Sequence, residues 1–415
     1  MTYYYPTLLE TGNIINYNSW FNIKEHKNQS HNKKKRRQVI NVDYIYTTKI
    51  KLELNNNQKN IILKWLNDCI DIYNMTNQHL KTILTNDNYK KILNFINLRK
   101  ELNEYIKEIC IKNKLNKHTA DYAVKHCVEM YKSAFSNHKN ITKFNIGDLD
   151  KNRRRKNIVI EPSSTSKKIN SIFVKELKEI ISSLPLNIIT KNSILQYDSY
   201  KKTFIIITPK DTNDDIELSQ YKKCGIDIGV RTFLTTYSKN ASYEIGTNTN
   251  IIIDKINKRL DKINSNYNNK LITKEKYNKL NYKYRDKLSN SIKDMHNKSA
   301  NFLLSNYKTI IIGKVSIKKM VSNLTGNLYA ITKRRLMALS HYRFRMKLHS
   351  MSKKYDAEII ETNEYLTSRC CSNCKNIKDD LGSNKKYICT KCNLKLDRDI
   401  NASINIYINK TISRN

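Results

Sequence analysis

The sequence predicts a multidomain protein: a small β-domain split by a helical insertion, followed by an α/β domain that carries an inserted four-cysteine hairpin. Three observations lead there. Two CxxC pairs, Cys371/Cys374 and Cys389/Cys392, stand fourteen residues apart, and each CxxC turn presents two sulfurs to one ion. Asp227 lies between Ile226 and Ile228 in an apolar strand pattern, where a charge is costly unless it is paired or binds metal. A helical period over residues 58 to about 140 interrupts a β pattern that starts before it and resumes after it.

The chain of 415 residues is long enough for two or three domains. Its net charge of +39 strains a compact fold unless a polyanion neutralises it, so nucleic acid is the expected partner. An acidic membrane surface is the weaker alternative: no amphipathic anchor or lipidation signal stands out, and no apolar run reaches the roughly 18 residues of a membrane span. Outside the CxxC pairs, Cys69, Cys110, Cys127, Cys224 and Cys370 are scattered and odd in number. With no secretion signal evident, they point to a reducing, intracellular compartment. Heavy use of Asn, Lys, Ile and Tyr, with 8 Gly and 4 Pro, blurs the usual loop punctuation.

In order, residues 1–45 have no sustained period and are expected as a basic, flexible N-terminal extension. They include His31-Asn32-Lys33-Lys34-Lys35-Arg36-Arg37, a nuclear-import signal, a nucleic-acid-binding arm or a solvated tail. TTKIKLEL alternates as a strand, and Ile62, Leu63, Leu66, Cys69, Ile70 and Tyr73 then recur at helical spacing. Later Ala120, Ala123, Val124, Cys127, Val128 and Tyr131 share one face. Residues 58–150 are thus a helical insertion in a β-domain made of 46–57 and 151–218, the latter read as strands at NIVIEP, INSIFV, LNIIT, SILQYD and FIIITP.

Residues 219–415 open on the Asp227 strand and a second strand, followed by helix from about Ile251 to Leu304. A buried strand in YKTIIIGKVSIKKMV comes next. One helix spans ITKRRLMALSHYRFRMKLHSMSKK, with Lys333, Arg334, Arg335, Arg343, Arg345 and Lys347 exposed. Strand AEIIETNEY, the zinc ribbon at about 367–395 and a helix opened by Asp397-Arg398-Asp399 complete the chain. This order suits a ribonuclease-H-like nuclease domain. Carboxylates at the carboxyl ends of neighbouring strands, with one on a helix, can converge on two Mg²⁺; the softer Zn²⁺ belongs to the thiolates.

The motifs GIDIGVRT, YLTSRCCSNC, CTKC and DRDINASINI resemble the RuvC and zinc-ribbon signatures of the TnpB family, especially its Fanzor branch. SHYRFRMKL and MHNKSANFLLSNYKTIII are also similar to that branch. The resemblance covers about residues 219–415; the split β-domain matches the family's barrel-like wedge and helical recognition insertion as architecture only. It implies an RNA-guided, Mg-dependent DNA endonuclease of a transposable element. Its partners would be a guide RNA encoded near the gene and double-stranded target DNA cut beside a short motif.

Asp227 falls on the family's first catalytic Asp and Asp399 on the last. Gly313 stands where most members carry the middle Glu, but Fanzor-like sequences place a Glu just before the TS-x-x-C motif, where this chain has Glu364. A neighbouring strand lies roughly 4.8 Å away, about the reach of a Glu side chain. Glu361, at an odd offset, is expected on the opposite face. Asp397 is expected to cap a helix, Cys370 to be a spectator, and His296 and His341 to pack or contact backbone. The competing readings are a nuclease-dead RNA-guided binder, a transposase that joins strands itself, and a non-catalytic zinc-ribbon module. The expected location is intracellular, in the nucleus or at a viral or cytoplasmic site of DNA replication.

Overall fold

A computed structural model of the chain describes residues 11–18, 21–27, 36–138, 140–314, 316–322, 328–378 and 384–412. The first elements are β1 (Thr11–Asn18), β2 (Phe21–Lys27), β3 (Arg36–Glu53), α1 (Asn56–Ile83), α2 (Tyr89–Ile92), α3 (Phe95–Glu101), α4 (Asn103–Asn113) and α5 (Lys117–His138). There follow β4 (Arg155–Ile160), α6 (Val174–Leu177), β5 (Ile181–Ser182), β6 (Ser193–Asp198), β7 (Thr203–Ile228), β8 (Leu234–Tyr237) and β9 (Ala241–Ile245). The remainder is α7 (Thr249–Asn268), α8 (Lys274–Asn306), β10 (Tyr307–Gly313), α9 (Ile317–Val321), α10 (Ala330–Leu339), α11 (His341–Ser352), β11 (Glu358–Thr362), β12 (Lys386–Ile388), β13 (Lys395–Asp397) and α12 (Arg398–Ile412). Residues 45–212 form one compact unit and residues 1–44 with 213–415 another. No helix among the described residues is long and apolar enough to cross a membrane.

In the 45–212 unit, α1 opens on a capping box in which Asn55 Oδ1 accepts the Gln58 N–H and Gln58 Oε1 accepts the Asn55 N–H. Its buried stripe of Ile62, Trp65, Leu66, Cys69, Ile72 and Tyr73 shares one core with Ala120, Val124, Cys127 and Tyr131 of α5. β4, β6 and the first residues of β7 pair antiparallel. The strands expected at INSIFV and LNIIT do not form. Phe173 adopts positive φ, which breaks the first run, and Leu186–Ile188 close into a 3-10 turn in the second. Ile172, Phe173, Leu186 and Ile189 join the buried core of this unit.

In the other unit, neighbouring strands follow the order β1-β2-β9-β8-β7-β10-β11. β7 is central to the functional half, antiparallel to β8 and parallel to β10, which is in turn parallel to β11. The expected flexible extension instead contributes β1 and β2. Phe21 and Ile23 are buried, and His26 meets Glu244 of β9 at 3.1 Å. Only Phe21 and Ile23 alternate as buried residues in β2, too short a pattern to stand out in the sequence. The basic run at 31–37 lies outside the described residues except for Arg36 and Arg37.

The single helix expected over ITKRRLMALSHYRFRMKLHSMSKK is two, because Ser340 takes φ 50° and breaks it between α10 and α11. Arg345, expected exposed, is 5% exposed: it joins His341, Phe344 and Leu348 on the buried face of α11.

α12 lies directly on β7. A Cβ added at Gly225 would stand 2.5 Å from the Ser403 carbonyl oxygen, 2.6 Å from the Tyr407 nitrogen and 2.8 Å from its Cα. All three are backbone atoms, so nothing there yields cheaply. Gly225→Ala should therefore destabilise this unit by about 3 kcal/mol, visible as a lowered melting temperature. An unchanged melt would mean that α12 is not seated on this glycine.

Candidate active site and metal centre

Two strands and a helix bring the three expected carboxylates together. Asp227 is the penultimate residue of β7, paired across to Thr235 of β8; its predecessor Ile226 pairs with Ile312 of β10. Continuing that register places Gly313 beside Asp227, and Gly313 pairs on its other side with Thr362, the last residue of β11. Glu364 follows two residues later. All three positions lie at the carboxyl ends of parallel strands, where α/β sheets open their functional crevices.

The glycine at 313 has a physical meaning. A Cβ built on it would fall onto the Oε1, Cδ and Cγ atoms of Glu364. The Glu364 side chain thus occupies the space in which a residue-313 side chain would begin. Its Oε1 is buried and has no hydrogen-bond partner among the described residues. Glu361, the rival, is instead met by His349 at 3.2 Å, Arg345 at 3.5 Å and Lys314 at 3.9 Å.

Asp399 arrives from the first turn of α12. Asp397 Oδ1 accepts the backbone N–H groups of Asp399 and Ile400 at 2.8 and 3.3 Å, the capping role expected of it. From Ser403 back to Asp399 is one helical turn, about 6 Å; from Gly225 to Asp227 is about 6.6 Å of strand. The seat of α12 on Gly225 therefore sets Asp399 against Asp227.

The electrostatics fit groups that await cations. Burial, then the charges of Glu364 and Asp399, push the Asp227 carboxyl well above the usual carboxylate range. Burial and Asp397 raise Asp399, against the pull of Arg398, Lys385 and Arg231. Burial lifts Glu364 to about 7, opposed by the guanidinium of Arg345. Arg345 is a residue the sequence did not single out; an arginine inside an apolar helical stripe was its only signal. Asp227 is repelled by both Glu364 and Asp399, and Glu364 holds an orphaned buried oxygen. Carboxylates of this kind are the hard-oxygen donors that divalent cations satisfy, although among the described residues only the four cysteines stand at closed metal-holding distances.

The raised Glu364 has a consequence for the metal-free protein. Between its ordinary 4.5 and about 7 the folded form holds a proton that the unfolded chain has released, so stability falls as pH rises through that window. The melting temperature without divalent metal should drop from pH 5 to pH 7.5. Glu364→Gln should flatten that drop; a slope retained in the variant would assign it to another group.

The four thiols form a separate centre. The sulfurs of Cys371, Cys374, Cys389 and Cys392 all lie within 4.8 Å of one another, with Cys371 to Cys392 at 3.6 Å and Cys374 to Cys389 at 3.5 Å. A tetrahedron of thiolates on Zn²⁺ has edges of about 3.8 Å, so the donor set fits that ion. Burial opposes ionisation of Cys389, but the backbone N–H groups of Cys392 and Lys391 together with the neighbouring thiols of Cys374 and Cys392 bring it down to about 6, while burial pushes its partner Cys371 up to about 12. Cys370 stays outside, its sulfur directed at the carbonyls of Cys371 and Lys375. His296 Nε2 donates to the Leu339 carbonyl at 2.9 Å, and both His296 and His341 stack on Phe233. Neither approaches a ligand role.

Family comparisons converge on the same region. Residues 341–406 match the family described as Cas12f1-like, TNB domain, and residues 210–324 match one described as a probable transposase. A TnpB-like protein of Acanthamoeba polyphaga mimivirus is 34% identical over 405 residues, covering 92% of this chain and 76% of that protein. A putative transposase of the same virus is 28% identical over 429 residues, covering 94% of this chain and 87% of that protein. Among solved structures, a Cas12f1–sgRNA–target DNA complex aligns with TM-score 0.34 and 16% identity over 88% of this chain and 98% of that one. The mini RNA-guided endonuclease Cas-phi3 aligns with TM-score 0.47 and 10% identity over 88% and 92%.

Proposed function

The chain belongs to the TnpB-like transposase family, and on that premise we propose that it is an RNA-guided, Mg²⁺-dependent DNA endonuclease of a transposable element. The observation that carries the reading is the Glu364 carboxyl filling the space over Gly313, beside Asp227. A chain that had simply lost its middle carboxylate would leave that space empty or filled by an apolar side chain. This weighs against a nuclease-dead binder.

Asp227, Glu364 and Asp399 would hold two Mg²⁺. Such ions, when bound, supply an activated water and neutralise charge on the leaving 3′ oxygen. The chain's own part is to fix the carboxylates: Asp227 by the sheet register, Asp399 by the seat of α12, and Glu364 by the turn after β11. The β7-centred strand order, with β8 antiparallel and β10 and β11 parallel, supports a RuvC-like, ribonuclease-H-like domain. The 45–212 unit is read as the wedge with its helical recognition insertion, gripping guide RNA and heteroduplex mainly through phosphates. The charge of +39 supports polyanionic partners of that size. Sequence would be read by guide pairing and the adjacent motif by protein.

The test is to sequence RNA that copurifies with the protein and then supply plasmid carrying a matching, motif-flanked target with Mg²⁺. A discrete RNA from the gene's flank is expected, and a rewritten guide should move the cut. Strand-transfer products formed without guide RNA would instead favour a recombinase.

A further inference from the structure

We propose that Asn401 and Asn405 are positioning residues that make the zinc ribbon the rear support of the carboxylate site. The inference rests on the metal reading of Asp227, Glu364 and Asp399 and adds what holds them in mutual register.

The two asparagines lie one turn apart on α12 and are 0% and 2% exposed. A primary amide buried this deeply is costly unless its donors and acceptors are met. Both are met by the backbone of the first cysteine turn. Asn401 Oδ1 accepts the Ser372 N–H at 2.9 Å, and its Nδ2 donates to the Cys370 carbonyl at 2.8 Å. One amide therefore clasps the chain on either side of the zinc ligand Cys371. Asn405 Nδ2 donates to the carbonyls of Cys370 and Thr367 at 2.7 and 2.8 Å, while its Oδ1 accepts Lys375 Nζ at 3.4 Å.

Thr367 is the link to Glu364. Its N–H and its hydroxyl both donate to the Glu364 carbonyl, at 3.2 and 2.9 Å. Two successive hydrogen-bonding steps thus run from α12 to the residue that supplies the displaced carboxylate.

Helix geometry gives the arrangement its direction. Asp399, Ser403 and Tyr407 follow at intervals of four and share one face, the face set on Gly225. Asn401 is two residues from Ser403, about 200° around the helix. The cysteine turn therefore braces α12 from the side opposite β7, and the same two amides fix the Glu364 turn to the helix that carries Asp399. Displacing the brace frees both carboxylates without altering either.

The test replaces the donors and keeps the shape. Asn401→Asp with Asn405→Asp removes the three bonds donated to Cys370 and Thr367 and retains the oxygens. Asn405→Ala, which adds no charge, serves if the double variant does not fold. Mn²⁺ binding is measured by calorimetry on zinc-loaded protein without nucleic acid, with Asp227→Ala marking the carboxylate site. The expected result is one zinc per chain and a Mn²⁺ dissociation constant raised about 10-fold or more, within the range of lost outer partners of metal ligands. The Mg²⁺ concentration for half-maximal cleavage should rise in parallel. A merely structural role would lower the active fraction and leave the Mn²⁺ constant of the folded protein alone. Binding within twofold of wild type overturns the proposal by itself. Absence of Asp227-dependent Mn²⁺ binding in the wild type overturns the metal reading beneath it.

Discussion

Asp227→Ala and Gly313→Ala should each lower DNA cleavage by two orders of magnitude or more, for different reasons. The first removes a proposed metal ligand from the end of β7; even outer partners of metal ligands typically cost about 10–100-fold. The second removes nothing. Its new methyl group takes the space held by the Glu364 carboxyl, and that carboxyl, the far end of a flexible side chain, swings away. Because the displaced group is mobile and alanine restricts the unfolded chain, the melting temperature should move by no more than about 3 °C. A silent melt with lost cleavage is the signature of Gly313 as cleared space. The converse exchange is informative too. Gly313→Asp combined with Glu364→Ala returns a carboxylate to the same volume and should cut better than Glu364→Ala alone. Plasmid nicking under guide and Mg²⁺ reads all four proteins, and full activity in Gly313→Ala would sink the account of Glu364.

What the residues disclosed unaided follows from how local each signal is. The cysteine pairs are legible because both ligands of a turn lie within four positions, and Asp227 because a charge in an apolar strand violates a period of two. Gly313 and Glu364 are different: they stand 51 positions apart, and their complementarity exists only once β10 and β11 are in register. The glycine alone reads as a loss. Gly225 is similar, since the helix that requires it begins more than 170 residues later. Asn401 and Asn405 were hidden by composition, in a chain so rich in asparagine that two more carried no information. Arg345 was placed in solvent because charge normally marks the outer face of a helix. Its neighbours Glu361 and Glu364 come from a different element, and they decide otherwise.

Loss of zinc should abolish cutting although it removes no carboxylate. Structural Zn²⁺ contributes an apparent 10–16 kcal/mol or so at neutral pH, as much as the whole stability of a typical domain. Among the described residues of 367–397, the buried apolar cluster is Tyr387 with the cysteines, joined by Leu394. Beyond it, the β12–β13 hairpin is tied to the sheet by Lys385, 3.2 Å from Glu244, and to α12 by the Asp397 cap. Without the ion the first cysteine turn cannot keep the backbone geometry that Asn401 and Asn405 clasp, and α12 loses its support on the side away from Gly225. A Cys371→Ser, Cys392→Ser protein, verified zinc-free, should cut at least 100-fold more slowly at saturating Mg²⁺. Raising Mg²⁺ further should not restore it, because the deficit lies in where the carboxylates stand and not in how many ions are available. If the ribbon served only to grip nucleic acid, the same variant would bind guide or target more weakly yet cut at the wild-type rate once saturated with both. That outcome would detach the ribbon from the active site.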